Sequence, residues 1–595
     1  MNEKKTIVSK RIVYTISTLL LCVVALFRAD GNGDWWRLGI NLIGICVLPI
    51  LVMRLNPKSF LKIPYLVWLV IALPIACIII KKYYYETLHR NAFAALVLEV
   101  FFYGFILIRF IIGIIKKEFK GNLKKLNPLF WVTLAFFFLS AISKNEAIWP
   151  VYLGLVFTFF YLAPADKKDN EILFISLCDG LIVAFFLIQS FAFLHRPYDK
   201  ARYLGSFTNS NVNGMFYVCA FVAWLSKYIH LTKKNAKRWI RYIHLAFASA
   251  MISFAVITMC RSAMGAMVIV TPIFLLLDTC INKKGFWKGF ILKGVCMVLI
   301  AAISFPIVFG CIRYIPALRH HPIWISDYSE DDVHSYDPWN SEKYIDWDEF
   351  VGALTGRFDP DNIDNRGTII QKEEVLLPEN NSAPIMLLAE GEGEPVNEEV
   401  AADVPEEPTG EYIEIDGVVI SYPDNVHPGQ DSEHPAYKYE TYEGIEKIFG
   451  IRKYIFGYYF RNMNFAGHEP EYPTAFLLPW YEVPHAHNTF LQIGYCFGRI
   501  PGILFLGISL FASIFPIVYA IIKKDKTSAS VAFAGICQSA LLIVGVTENI
   551  AFPGKMMFSL FFITLVLLMR KNEETKVNDN DSKIATETVA ADSNS

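Results

Sequence analysis

Charge is scarce in this sequence. Only 19% of its 595 residues are Asp, Glu, Lys or Arg, and 54% are hydrophobic. Soluble domains average about 25% charged and about 45–50% apolar residues, so composition alone argues against a water-soluble domain with a polar coat. No two cysteines are spaced CxxC, which removes cysteine support for a zinc or dithiol site. The eleven cysteines all lie in or beside apolar runs, and the long polar segment has none, so no disulfide framework is expected. The sequence shows no Walker A run, no GxGxxG, no basic nucleic-acid footprint and no repeat with a period of about 20–50 residues. These absences argue against an ATP-driven pump and against a nucleic-acid partner.

Apolar runs fill the space. Mean hydropathy is +0.37. A membrane span needs roughly 20 mostly apolar residues. Fourteen segments qualify, near 11–28, 37–54, 62–80, 91–115, 128–143, 147–163, 171–194, 211–230, 242–259, 261–281, 289–315, 500–522, 528–547 and 551–570. The pairs in 128–163 and 242–281 have very short connections. The basic start and apolar run of MNEKKTIVSKRIVYTISTLLLCVVALF resemble a signal peptide, but no small-x-small cleavage site follows, and the run is expected to be the first membrane helix. The expected fold is therefore an all-α polytopic membrane protein with about 14 transmembrane helices.

Charge bias orients the spans. With the N-terminus cytoplasmic, the inside loops collect Lys4, Lys5, Lys10, Arg11, Arg54, Lys58, Lys62, the lysines of 116–125, the basic cluster 227–241, Lys283, Lys284, Lys288, Lys523, Lys524 and Lys526. This is the positive-inside pattern, and it puts both termini in the cytoplasm. Two basic stretches fall on the outside instead, KKYYYETLHR (81–90) and HRPYDKARY (195–203). They are either chance or a surface that meets anions.

The same parity makes 316–486 one large extracytoplasmic loop. Within 316–484, 35 Asp and Glu face 10 Lys and Arg. The loop includes an acidic insert, 371–440, whose Glu- and Pro-rich stretch 387–411 is expected to be disordered. EYIEIDGVVISYP (411–423) alternates around Asp416-Gly417 and reads as a hairpin. YEGIEKIFGIRKYIFGYYF (442–460) has helical apolar spacing suited to a membrane surface. The resulting division is 1–315 for eleven spans, 316–486 for the loop, 487–570 for a histidine-bearing helix and three spans, and 571–595 for a disordered cytoplasmic tail.

Four stretches carry candidate chemistry. In PHAHNTFLQIGYCFGRIPG (484–502), His485 and His487 precede a helix-compatible run that Asn488 could cap. A histidine at a helix N-terminus is favoured as neutral imidazole and can take a proton from a hydroxyl. Gly494, Gly498 and Gly502 repeat every four residues, a spacing that lets helices approach closely in lipid. Pro501 predicts a break near Arg499, with a short helix carrying His487 before it. The plainer reading makes both histidines interfacial polar groups, and a metal site lacks a clear third ligand.

In SFTNSNVNGMFYVCAF (206–221), Asn209, Asn211 and Asn213 stand at the mouth of a span, where they could bind sugar hydroxyls or simply cap a helix. In TMCRSAMGAMVIV (258–270), Arg261 lies between two apolar runs. Its planar fork suits a phosphate or pyrophosphate, a lipid headgroup or a structural ion pair. In LTGRFDPDNIDNRGTII (354–370), Arg357 and Arg366 are basic residues in an acidic segment, as second anion ligands or as partners of Asp359, Asp361 or Asp364.

Together these elements resemble the O-antigen ligase and O-antigen or capsule polymerase family of bacterial membrane proteins. His487-Asn488, then nine residues, then Gly498 matches that family's histidine element. Asn209-Ser210-Asn211-Val212-Asn213-Gly214 is similar to its Asn-Pro-Asn-x-x-Gly element, with Ser for Pro. Cys260-Arg261-Ser262 resembles Ser-Arg-Ser/Gly, and Thr355-Gly356-Arg357 or Asn365-Arg366 loosely resembles Ser-Gly-Arg. The resemblance spans roughly 200–510. The long acidic loop and the Pro-to-Ser change depart from the pattern, which leaves the loop arginine ambiguous; Arg366 is preferred because the insert begins just after it.

The resemblance implies a GT-C-like, metal-independent glycosyltransferase without cofactors in the inner membrane. Its expected donor is a glycan on undecaprenyl pyrophosphate at the outer leaflet, and its acceptor is another glycan or a lipid-anchored chain. Membrane lipids and a chain-length regulator are the other expected partners. Catalytic roles then fall to His487, Arg261 and Arg366, with substrate contacts from Arg357, Asn209, Asn211, Asn213, His485 and Asn488. Polymerase is favoured over ligase, and a flippase for the same lipid-linked units is the alternative.

Overall fold

The computed structural model describes residues 2–24, 35–55, 57–60, 62, 67–84, 90–145, 147–194, 198–199, 202–207, 209–282, 286–318, 347–356, 412–415, 418–421, 452–469, 475–478, 481–483, 485–550 and 555–569. Helices dominate. They are α1 (Asn2–Val24), α2 (Trp35–Arg54), a π-helical turn (Trp68–Ala72) running into α3 (Leu73–Tyr84), α4 (Arg90–Ile115), α5 (Pro128–Ala141) and α6 (Trp149–Leu162). Then come α7 (Lys167–Ala192), α8 (Ser210–Lys233), α9 (Arg238–Ile257), α10 (Arg261–Asn282), α11 (Phe286–Ala317), α12 (Trp347–Gly356) and α13 (Arg452–Arg461). The chain closes with α14 (Thr489–Phe497), α15 (Arg499–Lys523), α16 (Ala529–Thr547) and α17 (Met556–Leu565).

Nine of the described helices are long and apolar enough to cross a membrane, with four shorter apolar helices besides. The protein is thus a mostly helical, multi-pass membrane protein. Large apolar side chains lie on its outside as well as inside: Val268, Val298, Ile303 and Ile503 are each more than 60% exposed. Facing lipid, such residues lose nothing, because hydrocarbon is as apolar as they are. Specific packing must hold the interior instead. Phe562 lies 4.9 Å from Phe137 and 5.1 Å from Phe157 by ring centroids, and Phe505 lies 4.8 Å from Phe561, locking α5, α6, α15 and α17 together.

The short connections are real turns. Between α9 and α10 only Thr258, Met259 and Cys260 intervene, and Met259 takes a left-handed φ of 52° to reverse the chain. The expected hairpin is present as β3 (Tyr412–Ile415) paired antiparallel with β4 (Val418–Ser421), Ile415 opposite Val418. Two further small hairpins are β1 (Tyr198–Asp199) with β2 (Arg202–Tyr203), and β5 (Ala475–Leu478) with β6 (Tyr481–Val483). Of the expected surface helix in 442–460, the described part is α13, which packs by Tyr459 on Tyr495 of α14 at 4.8 Å. The acidic stretch 387–411 and the tail 571–595 lie outside the described residues.

The glycine repeat works as the spacing required. A Cβ on Gly502 would stand 2.7 Å from the Gly494 Cα, so α14 and α15 meet backbone to backbone. The expected break near Arg499 is present, and it falls at Gly498. Gly498 has φ 106°, and a Cβ there would sit 2.3 Å from the Phe465 carbonyl oxygen. Pro501 sits in the first turn of α15, where a missing N–H costs no hydrogen bond. The break therefore comes from glycine geometry.

Two ends of the bundle differ in kind. Ion pairs tie the helices away from the candidate site: toward one end Arg54 to Asp169 at 3.0 Å and Lys10 to Asp169 at 2.7 Å, and at the middle of α7 Arg11 to Asp179 at 2.6 Å and Lys227 to Asp179 at 2.7 Å. These join α1, α2, α7 and α8. At the other end, the C-termini of α7, α9 and α16 meet the N-termini of α8, α10 and α14, and the candidate chemistry gathers there.

Candidate functional site

Glu548 organises this end. It follows the last residue of α16, and its side chain is 8% exposed. Its Oε1 accepts from Ser262 Oγ at 3.1 Å and from Arg452 Nη2 at 3.3 Å. Its Oε2 lies 3.9 Å from His487 Nδ1. Its backbone carbonyl accepts from Thr489 Oγ1 at 2.8 Å, and the same hydroxyl accepts from Ile550 N. Arg452 is fixed in turn by donating through Nη1 to the Thr547 carbonyl at 2.9 Å. One carboxylate thus draws together α10, α13, the α14 N-terminus and the end of α16.

His487 stands two residues before α14. The expectation that a short helix carries it is corrected: Asn488 is the N-cap, and its Oδ1 accepts from the backbone N–H groups of Phe490 and Leu491 at 3.0 Å each. Asn488 Nδ2 also donates to the Val546 carbonyl, so the cap fastens the helix start to the end of α16. His487 lies just outside the helix with φ 45°. A left-handed conformation in a non-glycine residue costs on the order of 1–2 kcal/mol, a strain that concentrates at functional positions. The His487 side chain is 17% exposed, buried enough to be aimed and open enough to be reached.

His485 supports it. The rings of His485 and His487 meet edge-on at 4.1 Å, and the His487 N–H donates to His485 Nδ1 at 3.4 Å. A ring nitrogen that accepts carries no proton, so His485 is neutral with its proton on Nε2. Burial, with His487 and Lys555 beside it, pushes His485 down to about 3, in keeping with that tautomer. Burial alone would raise the Glu548 carboxyl. His487, Arg452 and Lys555 outweigh it and hold Glu548 down at about 2, so it is an anion at neutral pH.

Arg261 is the first residue of α10, exposed, and directly precedes the Ser262 that holds Glu548. The three asparagines divide their work. Asn209 caps α8 by accepting from Asn211 N at 2.7 Å. Asn211 accepts from Arg202 through Oδ1. Asn213 is buried and donates to the Tyr203 carbonyl at 3.4 Å. The capped helix start is the arrangement seen, with Asn211 also serving a cation. Arg357 and Arg366 lie outside the described residues.

Glu548, Arg452 and Lys555 are residues of this end that the sequence did not single out, and Arg202 falls in the basic stretch 195–203 without having been named as a site residue. A signal existed for Glu548. It is the one acidic residue in 528–570, and an isolated charge in a near-continuous apolar run is costly unless it is used. Glu548 shares this isolation with Arg261.

As a chemical device, the site offers an imidazole with a carboxylate near one nitrogen. A carboxylate facing Nδ1 favours the tautomer with the proton there, which leaves Nε2 as a base, and it stabilises the imidazolium once a proton is taken. Glu548 is anionic, and Arg452, Lys555, Arg202 and Arg261 gather at the same end of the bundle. Comparisons with protein-family models, with curated proteins and with solved structures gave no match.

Proposed function

We propose that this chain is an integral-membrane glycosyltransferase of the O-antigen ligase and polymerase type. It transfers or polymerises a glycan carried on undecaprenyl pyrophosphate at the outer face of a bacterial cytoplasmic membrane. In this reading the fourteen apolar segments are spans in a GT-C-like arrangement, both termini are cytoplasmic, and 316–486 is extracytoplasmic. Polymerase activity is favoured over ligase.

One observation carries the reading. His487 Nδ1 is 3.9 Å from a Glu548 carboxylate that is itself fixed by Arg452 and Ser262, at the same end of the bundle as Arg261. The chemistry follows from it. Nε2 of His487 accepts the proton of the acceptor sugar hydroxyl, whose oxygen attacks the anomeric carbon of the donor. The bond from that carbon to the pyrophosphate oxygen breaks, and undecaprenyl pyrophosphate leaves with the electron pair. Its charge is met by guanidinium groups, and preorganised donors aimed at developing charge are a large term in such catalysis. General-base help from His487 contributes about 10²–10⁴-fold.

Purified protein in lipid nanodiscs, given a labelled undecaprenyl-pyrophosphate oligosaccharide, tests this. The expected result is longer glycans with stoichiometric release of undecaprenyl pyrophosphate, abolished by Arg261→Ala. Label that crosses a liposome membrane without changing length would identify a flippase instead.

A further inference from the structure

The ion pairs of Asp179 leave a charge unbalanced. Asp179 lies near the middle of α7, about 18 Å along the helix from Lys167. Its Oδ2 accepts from Arg11 of α1 through Nε at 3.2 Å and Nη2 at 2.6 Å, and its Oδ1 accepts from Lys227 Nζ of α8 at 2.7 Å. Both oxygens are engaged, and one negative charge faces two positive ones. Among the described residues, no other carboxylate pairs with Arg11 or Lys227. The support is firm. A Cβ on Gly180 would stand 2.5 Å from the Thr18 Cβ, so α1 and α7 are closely packed beside the triad, and Ser176 Oγ donates to the Arg11 carbonyl at 3.3 Å.

The open end of this triad is Arg11. Lys227 is largely buried, whereas the Arg11 side chain is 55% exposed. A guanidinium carries five N–H donors, and its bonds to Asp179 use two of them. What surrounds it is apolar. On α7, Val183, Phe186 and Leu187 follow Asp179 at the spacing of one helix face, and all three are exposed. On α1, Ile12 adjoins Arg11 and Ile16 lies one turn further, both exposed. Phe186 also meets Trp224 of α8 edge-on at 5.9 Å, which closes the floor between α7 and α8. In a multi-pass membrane protein such a stripe faces lipid. A guanidinium beside it keeps its charge and is costly there unless an anion meets it. A phospholipid is the anion that can reach it, because it brings a phosphate and apolar chains together.

We propose that Arg11, backed by Lys227, binds the phosphate of an anionic phospholipid whose acyl chain lies along the Val183, Phe186 and Leu187 face of α7. Charge complementarity selects this occupant. The triad carries one net positive charge, which a phosphodiester headgroup with one net negative charge balances and a zwitterionic headgroup does not. The site lies in the half of the bundle away from Glu548, since Lys227 is about 25 Å along α8 from Ser210. It goes beyond the transferase reading and does not rest on it, because none of its residues belongs to the candidate site.

The test uses full-length protein in detergent micelles, with phosphatidylglycerol or phosphatidylcholine of the same acyl chains as probes and bound lipid measured by native mass spectrometry. Phosphatidylglycerol is expected to bind the more tightly, and Arg11→Gln to weaken it about 5-fold or more, the contribution of one basic residue beside an anionic lipid. Arg11→Lys should weaken it less, because charge survives while the fork is lost. Asp179→Asn removes the competing anion and should bind phosphatidylglycerol at least as tightly as the unsubstituted protein. Should Arg11→Gln fail to elute as a monodisperse species, Lys227→Gln decides by the same criterion. Equal affinity of the unsubstituted protein for the two lipids, or unchanged phosphatidylglycerol affinity in the folded Arg11→Gln variant, would overturn the proposal. Release of the bound lipid by excess inorganic phosphate would overturn it too, by marking a site for a soluble anion.

Discussion

Glu548 and His487, contributed by the end of α16 and the approach to α14, face each other with 3.9 Å between Oε2 and Nδ1. The carboxylate is not free to turn away, because Ser262 and Arg452 hold its other oxygen. In the proposed mechanism this pair is the base and its electrostatic support.

Removing the charge while keeping the shape should show this. Glu548→Gln retains an acceptor for Ser262 but loses the anion that favours the Nδ1–H tautomer and the imidazolium. Turnover is expected to fall about 10²-fold or more, within the range assigned to general-base assistance, with a smaller change in donor KM. Equal loss in Glu548→Gln and in the Glu548→Gln, His487→Ala double variant would mark the two as one unit.

Acid should destabilise the protein through this site. His485 is held neutral in the folded protein down to about 3, whereas an unfolded histidine titrates near 6.5. Between those values the unfolded state binds the extra proton, so stability is lost as pH falls below about 6.5. Glu548, held at about 2 against an ordinary 4.5, acts in the same direction below pH 4.5. The melting temperature in nanodiscs should therefore drop between pH 7 and pH 4.5, and His485→Gln should flatten that slope. An unchanged slope would contradict the assignment of His485.

The α14–α15 joint should tolerate no side chain. Gly502→Ala places a methyl 2.7 Å from the Gly494 Cα, and overpacking of this kind costs about 1–3 kcal/mol. Gly498→Ala adds a left-handed φ and a 2.3 Å approach to the Phe465 carbonyl oxygen. Both variants should lower the melting temperature, Gly498→Ala the more.

The cap should matter twice. Asn488→Ala removes two hydrogen bonds to the α14 N-terminus and one to Val546. A lost N-cap costs about 0.5–2 kcal/mol. Because the adjoining His487 depends on this anchor for its direction, turnover should fall further than the stability loss explains. Activity measured well below the melting temperature separates the two effects.

Much of this end could be read from residue order. Apolar runs gave the helices, Asn488 read correctly as a cap, and the four-residue glycine spacing foretold the tight α14–α15 contact. The break near Arg499 was legible as well, but its cause is the left-handed Gly498 and not Pro501. What could not be read was azimuth. A span's parity says at which end of the bundle its terminus lies, but not which neighbour it faces. Arg452 looks like an ordinary surface cation in the sequence, and Arg202 is marked only as part of a basic stretch on the outside; folding alone brings one to Glu548 and the other to Asn211. Arg261 and Glu548 are isolated charges beside apolar runs, and that pattern marks importance without naming a partner.

The most direct test of the central claim is a single-turnover time course of glycan transfer by His487→Ala and His487→Gln in nanodiscs, with saturating lipid-linked donor. The account predicts transfer slowed by about 10²-fold or more in both, with pyrophosphate binding intact. Transfer at the unsubstituted rate in either variant would contradict it.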